Sequence, residues 1–428
     1  MAIEREYKLD SSGIPDPLKV EIGTGLSKVA ETRKQQLSLY FDSAGLDLGR
    51  LGIGLRFRTV NDEPIKGVWT MKIPRNFNSA GATQREEIEV EGERGEIPGP
   101  IRKVLQRLDL LDSLIPTVSL KTDRTSFKVA RDGVKLPIEI DVDLVEFLDG
   151  SIYREVEIEV QKREFDGVAA SIAGRFESAG GIPSKKTKLE RATERSPYGS
   201  LAETIQPDLT SLEFWLRNGL LLSSLMLSSL VALPGEVEAF SFRGVVWEAV
   251  CYLRALVKES SEIELLLDEY AELSLSISEG RDFIASGDRL AESIYNRYFA
   301  LYGSETSGRD PLKGLDLGAV LTWDDEYLRS LLASVRKLDE VFDSIDGDPG
   351  SITTDDRFSL LVDELLDIVI GAVPIGMDIT LAKSVAEFFD LAVGKKASSV
   401  SSGTTTNFQA LKIAVSQMLK DLELLERT

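Results

Sequence analysis

No histidine occurs in the 428 residues of this chain, and cysteine occurs once, at Cys251. Without imidazole there is no histidine general base, no histidine metal ligand and no Ser–His–Asp triad. Acid–base work falls to carboxylates, lysines or water activated by a metal. A single cysteine excludes an internal disulfide and suits a reducing compartment. Set between Val250 and Tyr252 in a helical pattern, Cys251 reads as a buried structural residue. Long unbroken apolar runs are missing too: 220–233 carries four serines, and 368–379 contains Pro374 and Asp378, so both read as core helices rather than membrane spans. At the start of the chain, Glu4, Arg5 and Glu6 stand where a signal segment would have its apolar core, and a cytoplasmic location is expected.

Basic residues are scarce in one half only. Residues 1–200 hold 31 Lys+Arg against 33 Asp+Glu, whereas residues 201–428 hold 19 against 38, which is most of the formal charge of −21. Nucleic-acid backbones attract the opposite sign, so neither nucleic acid nor a membrane is an expected partner. The length calls for two or more domains with cores of their own.

What is present is a series of strand-like segments with one apolar and one charged face. Successive side chains of a strand alternate sides, so Glu4, Glu6 and Lys8 share a face, as do Arg56 and Arg58 against Leu55 and Phe57. Lys72 alternates with Met71 and Ile73, and Arg85, Glu87 and Glu89 with Ile88 and Val90. Glu139 and Asp141 alternate with Ile138, Ile140 and Val142, and Glu155, Glu157 and Glu159 with Val156, Ile158 and Val160. One such strand is a solvated face. Several in succession, basic on some and acidic on others, predict a closed or nearly closed antiparallel barrel with a charged interior. Arginine forks and lysine ammoniums match a dense polyanion such as phosphate. The carboxylates would repel that guest unless a hard divalent cation stood between them, so the two charge sets together imply a metal–polyphosphate complex.

These residues resemble the CYTH domain, the triphosphate tunnel metalloenzymes. Glu4-x-Glu6-x-Lys8 resembles the family's ExExK signature, Tyr40-Phe41-Asp42-Ser43 its YFDT and Leu55-Arg56-Phe57-Arg58 its LRIR. Trp69-Thr70-Met71-Lys72 is similar to its T-x-K strand, Arg85-Glu86-Glu87 to its R-x-E, and Glu139-Ile140-Asp141 to its EIALD-like strand. Glu155–Glu159 is similar to its E-x-E-x-E, and Ser184-Lys185 to its closing S-K. The likeness spans residues 1–192. Two departures stand out. Ser43 replaces a common threonine, and Lys121 and Arg124 are three apart, so a regular strand cannot aim both inward; Arg124 is taken as the inward one and Lys121 is left open.

After a Ser/Pro/Gly-containing linker at 193–210, leucine, isoleucine and valine recur at helical spacing over 211–428, with breaks near 234–235, 304–310, 346–350 and 395–406. A bundle of seven to nine helices is expected. The overall class is α+β: an antiparallel β-barrel or tunnel with flanking helices, then an all-α bundle. Around Leu253-Arg254 the second half resembles a worn CHAD domain, whose H-x-x-R-V-x-x-R-R-L-R motif would place Gly244, Trp247, Cys251 and Tyr252 at its histidine and arginine positions. Ser334–Asp339, with Arg336-Lys337-Leu338, is a fainter second copy. CHAD domains are associated with polyphosphate binding through basic surfaces and histidines. An acidic half without histidine is expected instead to support the fold, form a homodimer or dock a protein.

The CYTH resemblance implies hydrolysis of inorganic triphosphate to phosphate and pyrophosphate with Mg²⁺ or Mn²⁺, one ion bridging glutamate-type ligands and phosphate oxygens and a second activating the attacking water. Thiamine triphosphatase, nucleoside triphosphatase and adenylate cyclase are the rival activities, and a phosphate-sensing scaffold is the non-catalytic rival. It implies Lys8, Arg56, Arg58, Lys72, Arg85, Arg124 and Lys185 as substrate-binding residues, Glu4, Glu6, Asp141, Glu155, Glu157 and Glu159 as metal candidates, and Glu4, Glu6, Lys8 and Lys185 as catalytic. Glu139 is left to pair with a neighbouring arginine.

Overall fold

The computed structural model describes residues 5–60, 65–79, 82–184, 186–233, 239–257, 260–278, 283–303, 310–313, 315–344, 356–398 and 404–426. The chain forms two compact units: Met1–Arg75 with Ala80–Pro207, and Asn76–Ser79 with Asp208–Thr428.

The first unit contains β1 (Arg5–Asp10), β2 (Leu26–Asp42), α1 (Asp47–Arg50), β3 (Gly54–Val60), β4 (Lys66–Ser79) as far as Arg75, β5 (Ala82–Glu93) and α2 (Gly99–Arg107). It continues through β6 (Ile115–Arg131), β7 (Val134–Phe147), β8 (Ile152–Val160), α3 (Asp166–Ser178), β9 (Ile182–Pro183), α4 (Lys188–Glu194) and α5 (Gly199–Ile205). α5 lies within the stretch read from sequence as a linker, and the first unit runs on to Pro207. The strands form one sheet in the order β5-β4-β3-β2-β6-β7-β8-β1-β9. Its edges, β5 and β9, are not joined in that ladder among the described residues, so of the closed or nearly closed barrel expected the sheet is the unclosed form, with an inner face that surrounds a cavity.

Local sequence explains the main turns. β6 and β7 are joined by Asp132-Gly133 at φ 50° and 82° between the paired Arg131 and Val134. This is the Asp-Gly chemistry that a two-residue hairpin with positive φ at both positions demands. Register shifts between Val29 and Thr32 and between Tyr40 and Phe41 interrupt the long β2–β6 pairing, with Ala30 at φ 54° in the first. Such bulges bend a strand and increase its twist, which a sheet needs to curl around a lumen.

The apolar faces pack as the alternation predicts. Ile138, Ile140, Val156, Ile158 and Val160 form a core with Leu9 and with Ile172 and Phe176 of α3. Phe57 and Trp69 hold their rings 5.2 Å apart at a tilt of 51° on neighbouring strands. Burying each such side chain contributes about 1.5–3 kcal/mol. The inner face of β7 changes character along its length: Asp141 and Asp143 give way to Val145 and Phe147, which pack with Tyr153 and Ala192, the last from α4.

The second unit is helical: α6 (Leu212–Val231), α7 (Ala239–Leu256), α8 (Ser260–Ser278), α9 (Ile284–Tyr302), α10 (Asp325–Ser344), α11 (Asp356–Ile370), α12 (Ile379–Ser398) and α13 (Thr404–Glu426). The predicted breaks at 234–235 and 346–350 lie outside the described residues. Ser211 caps α6 by accepting from the Phe214 amide. α6 is the one described helix long and apolar enough to cross a membrane, and 83% of that window is buried inside the structure. The CHAD-like positions Trp247, Cys251 and Tyr252 are core residues, with Trp247 donating its indole N–H to the Val369 carbonyl at 3.1 Å. Packing, not a basic surface, explains those residues.

Candidate active site

A cavity of about 560 Å³ lies on the inner face of the first unit, lined from β1, β2, β3, β4, β5, β6, β8, β9 and α4. Arg56, Arg58, Lys72 and Arg85 line it from one side, and Glu6, Lys8, Arg124, Glu157 and Glu159 from the other. Nine of the sequence-predicted residues are thereby brought together. Asp141 and Glu155 stand behind that lining rather than in it. Glu4 and Lys185 lie outside the described residues. Lys121 is exposed on the outer face, so the three-residue spacing is resolved in favour of Arg124.

The strand register explains the acidic side. β7 and β8 place Glu139 opposite Glu159, Asp141 opposite Glu157 and Asp143 opposite Glu155. Like charges directly opposed are destabilising, so each pair needs cations from elsewhere. The neighbouring strands supply some: β6 sets Lys128 against Glu139 and Arg124 against Asp143, and β1 sets Lys8 against Glu157. Glu139 pairs with Lys128, not with an arginine. Arg124 grips Asp143 with two nitrogens, Nε at 2.8 Å and Nη2 at 2.6 Å, reaches Glu157 Oε2 at 2.6 Å and also meets Asp141. Lys8 Nζ lies 3.0 Å from Glu6 and 3.2 Å from Glu157.

Two members of this network escaped the sequence reading. Lys188, in the first turn of α4, lies 3.0 Å from Asp143, 2.6 Å from Glu155 and 2.7 Å from Glu157. Asp143 continues the i, i+2 alternation of Glu139 and Asp141 by one more step, so the signal for it was present. For Lys188 no strand periodicity could serve, because a helix delivers it. That helix is fixed by a capping box in which Thr187 and Glu190 bond each other's backbone amides.

Charge states follow from these contacts. Burial opposes the Lys8 and Lys188 ammoniums, but the surrounding carboxylates outweigh it and raise both above the ordinary lysine range. Burial also opposes the Glu157 carboxylate, yet Lys188, Lys8 and Arg124 hold it well below the usual value. Glu155, fully buried, is pushed up to about 7 by desolvation and by the charge of Glu157, against the pull of Lys188.

The basic side meets hydroxyls and, at Lys72, a carboxylate of β5. Arg56 donates to Thr70 Oγ1 at 3.3 Å and Arg58 to Ser38 Oγ at 3.4 Å. Lys72 faces Glu87 at 3.2 Å. The Nε groups of Arg56 and Arg85 are buried without a hydrogen-bond partner among the described residues. Burial and the charges of Arg56 and Arg124 lower Arg58 to about 10. Burial raises the Tyr40 phenol, but Arg56 and Arg58 beside it bring the net shift downward. Crowded cations with unsatisfied donors are a site built for an anion. In the same motif Asp42 and Ser43 are structural: Asp42 accepts from the amides of Leu48 and Gly49 at 2.9 and 3.0 Å, and Ser43 Oγ accepts from Gly45 and Asp47.

A metal fits the other side. Oxygens of Glu6, Glu157 and Glu159 lie within 4.8 Å of one another beside the cavity. A carboxylate offers about four acceptor positions, and the cations already named take three on Glu157, leaving capacity toward the lumen.

Residues 2–192 match the family model of the CYTH domain. This part of the chain is a CYTH domain. No curated protein matches the sequence. Among solved structures, it is similar to a Hippeastrum protein provisionally named an adenylyl cyclase and described with a dominant triphosphatase activity. That pair shares 20% identity over 45% of this chain and 95% of that one, with a TM-score of 0.31. A Pyrococcus horikoshii protein shares 18% identity over 45% and 99%, with a TM-score of 0.31. A Bacillus halodurans protein provisionally named an adenylate cyclase shares 20% over 45% and 96%, with a TM-score of 0.31.

Proposed function

We propose that the CYTH domain of this protein is a divalent-metal-dependent triphosphatase that hydrolyses inorganic triphosphate to phosphate and pyrophosphate. The observation that carries this reading is the facing of two sets within one cavity: arginines with unsatisfied buried donors, and a carboxylate triad. A pure anion binder gains nothing from three carboxylates in its lumen, and a pure cation site gains nothing from four basic side chains.

Arg56, Arg58, Lys72 and Arg85 would bind the phosphate chain, with Arg124 and Lys8 at its other side, and their fixed positions stabilise charge as the anhydride bond breaks. Glu6, Glu157 and Glu159 would hold Mg²⁺ or Mn²⁺, which when bound neutralises phosphate oxygens and makes water a stronger nucleophile. Lys8 is held protonated by Glu6 and Glu157 and can donate to a phosphoryl oxygen. A base or thiamine ring needs apolar contact surface. The lining offers Tyr7, Tyr40, Pro183 and Leu189 amid ionic and hydroxyl side chains, which favours the smallest triphosphate. For the helical unit the reading is support or protein docking on a CHAD-like architecture that has lost its basic motif.

A turnover screen of inorganic triphosphate, thiamine triphosphate and ATP with Mg²⁺ and Mn²⁺ tests this. Fastest release of phosphate and pyrophosphate from inorganic triphosphate is expected; cyclic AMP from ATP, or turnover of none of the three, overturns it.

A further inference from the structure

Strand register gives the arginines on the two sides of the cavity different neighbours. On the acidic side β7 sets Asp143 directly opposite Arg124, and the guanidinium is held by Asp143, Asp141 and Glu157. On the basic side the opposing residues carry hydroxyls. β4 sets Thr70 opposite Arg56, whose Nη2 donates to Thr70 Oγ1 at 3.3 Å, and β2 sets Ser38 opposite Arg58, whose Nε donates to Ser38 Oγ at 3.4 Å. Neither Arg56 nor Arg58 makes an ion pair among the described residues. Thr70 is 1% and Ser38 3% exposed, so packing within the sheet fixes both hydroxyls. Thr70 in turn donates to Glu89 Oε1 at 3.3 Å. A carboxylate only accepts, so the single hydroxyl proton goes to Glu89 and the lone pairs of Thr70 are left for Arg56.

We propose that Thr70 and Ser38 are positioning residues of the anion site: their hydroxyls hold Arg56 and Arg58 in place and leave both guanidinium charges available to a phosphate chain. The inference rests on the basic wall being where the polyanion of the proposed reaction binds. Its physical basis is a competition for donors. A carboxylate opposite an arginine takes two of its N–H groups and cancels its charge, as Asp143 does to Arg124. A neutral hydroxyl accepts a bond, restrains the long side chain and cancels no charge. Arg56 keeps its Nε buried and without a hydrogen-bond partner among the described residues. Its guanidinium is thus ordered in advance without being neutralised, and binding then costs less ordering entropy.

Titration calorimetry of the full-length protein with inorganic triphosphate in excess chelator tests this apart from hydrolysis. Thr70→Val keeps the shape and removes the hydroxyl, and should weaken binding roughly tenfold, the scale of one hydrogen bond to a charged group. Thr70→Ser should bind as the parent does. In an Arg56→Ala background Thr70→Val should cost nothing further, because no guanidinium is left to position. Ser38→Asp, which gives Arg58 the kind of partner that Arg124 has in Asp143, should weaken binding more than Ser38→Ala. Parental affinity in folded Thr70→Val, or the same loss with and without Arg56, would overturn the inference and leave the triphosphatase reading intact. Equal affinities for Ser38→Asp and Ser38→Ala would also overturn it, and this pair decides the matter where circular dichroism shows that Thr70→Val does not fold. A parent that binds triphosphate without turning it over in Mg²⁺ would refute the proposed activity, while the variant affinities still decide the inference. No binding by the parent would overturn the inference together with the anion site on which it rests.

Discussion

The two units treat charge in opposite ways. The CYTH unit is nearly neutral by composition, yet takes Asp141, Asp143, Glu155, Glu157 and Lys188 out of water. The helical unit carries most of the net negative charge and keeps nearly all of it on its surface, with Glu248 and Asp390 the buried carboxylates among the described residues. Asp390 is fully engaged, accepting from Tyr270 at 2.8 Å and Ser274 at 2.7 Å and pairing with Arg243 at 2.9 Å. Desolvating an ion costs several kcal/mol even after relaxation, and apolar replacement is often neutral or stabilising. A fold that retains a whole lattice of buried ions does so for what the lattice binds. Net charge therefore reports on the partners of a surface, whereas buried charge reports on a site.

The sharpest way to break this contrast is to remove a charge without changing shape. Glu6→Gln should reduce turnover by roughly a thousandfold or more, the upper scale for one preorganised electrostatic contact, while leaving unfolding free energy within about 1 kcal/mol of the parent. Excess chelator should do the same without any substitution. Undiminished hydrolysis in chelator would mean that the cavity carboxylates serve only to pair with Lys8 and its neighbours.

A smaller effect is expected on the basic wall. Arg56→Ala and Lys72→Ala should each slow turnover by roughly a hundredfold, since each removes one donor to the phosphate chain. Lys128→Ala, whose partner Glu139 lies outside the cavity lining, is the control on the same sheet and should stay near the parental rate. Equal losses at Arg56 and Lys128 would show that the sheet, not the lumen, is being damaged.

Much of this site was legible because strands have a period of two. Once Leu55, Phe57, Met71, Ile73, Ile158 and Val160 are assigned to a core, their neighbours must face the other way, and nine predicted residues meet in one cavity accordingly. The period left three informative things undecided. Asp141 and Glu155 are on the right face, but the lattice of Arg124 and Lys188 covers them. Alternation gives the side of a sheet, not the depth. Lys188 comes from a helix that closes one end of the inner face, and a strand pattern says nothing about what a later helix inserts. Whether β5 and β9 meet was left open, because alternation is the same for a barrel and for a strongly curled sheet. In the second half, periodicity identified helices, but a motif match counted Trp247, Cys251 and Tyr252 as eroded functional positions when packing accounts for them.

The smallest effect should come from the basic groups of the helical unit. Arg336→Ala with Lys337→Ala is expected to leave the affinity of the full-length protein for long-chain polyphosphate unchanged. Arg336 already pairs with Glu423 at 3.2 Å and Glu426 at 3.7 Å, so its charge is spent within the unit. Lys337 beside it is exposed, on a half of the chain with twice as many acids as bases. The side chains of the other adjacent pair, Lys395-Lys396, lie outside the described residues. Salt screens over about 8 Å at physiological strength, which weakens the repulsion of a polyanion by that surface without reversing its sign. Binding that remains should instead fall with Arg56→Ala, because the cavity presents cations whose donors are unsatisfied. Titration of both variants with polyphosphate at two salt concentrations separates the cases. Loss of most binding in the Arg336/Lys337 variant, with Arg56→Ala unaffected, would place polyphosphate recognition in the acidic half and invert the assignment of roles to the two units.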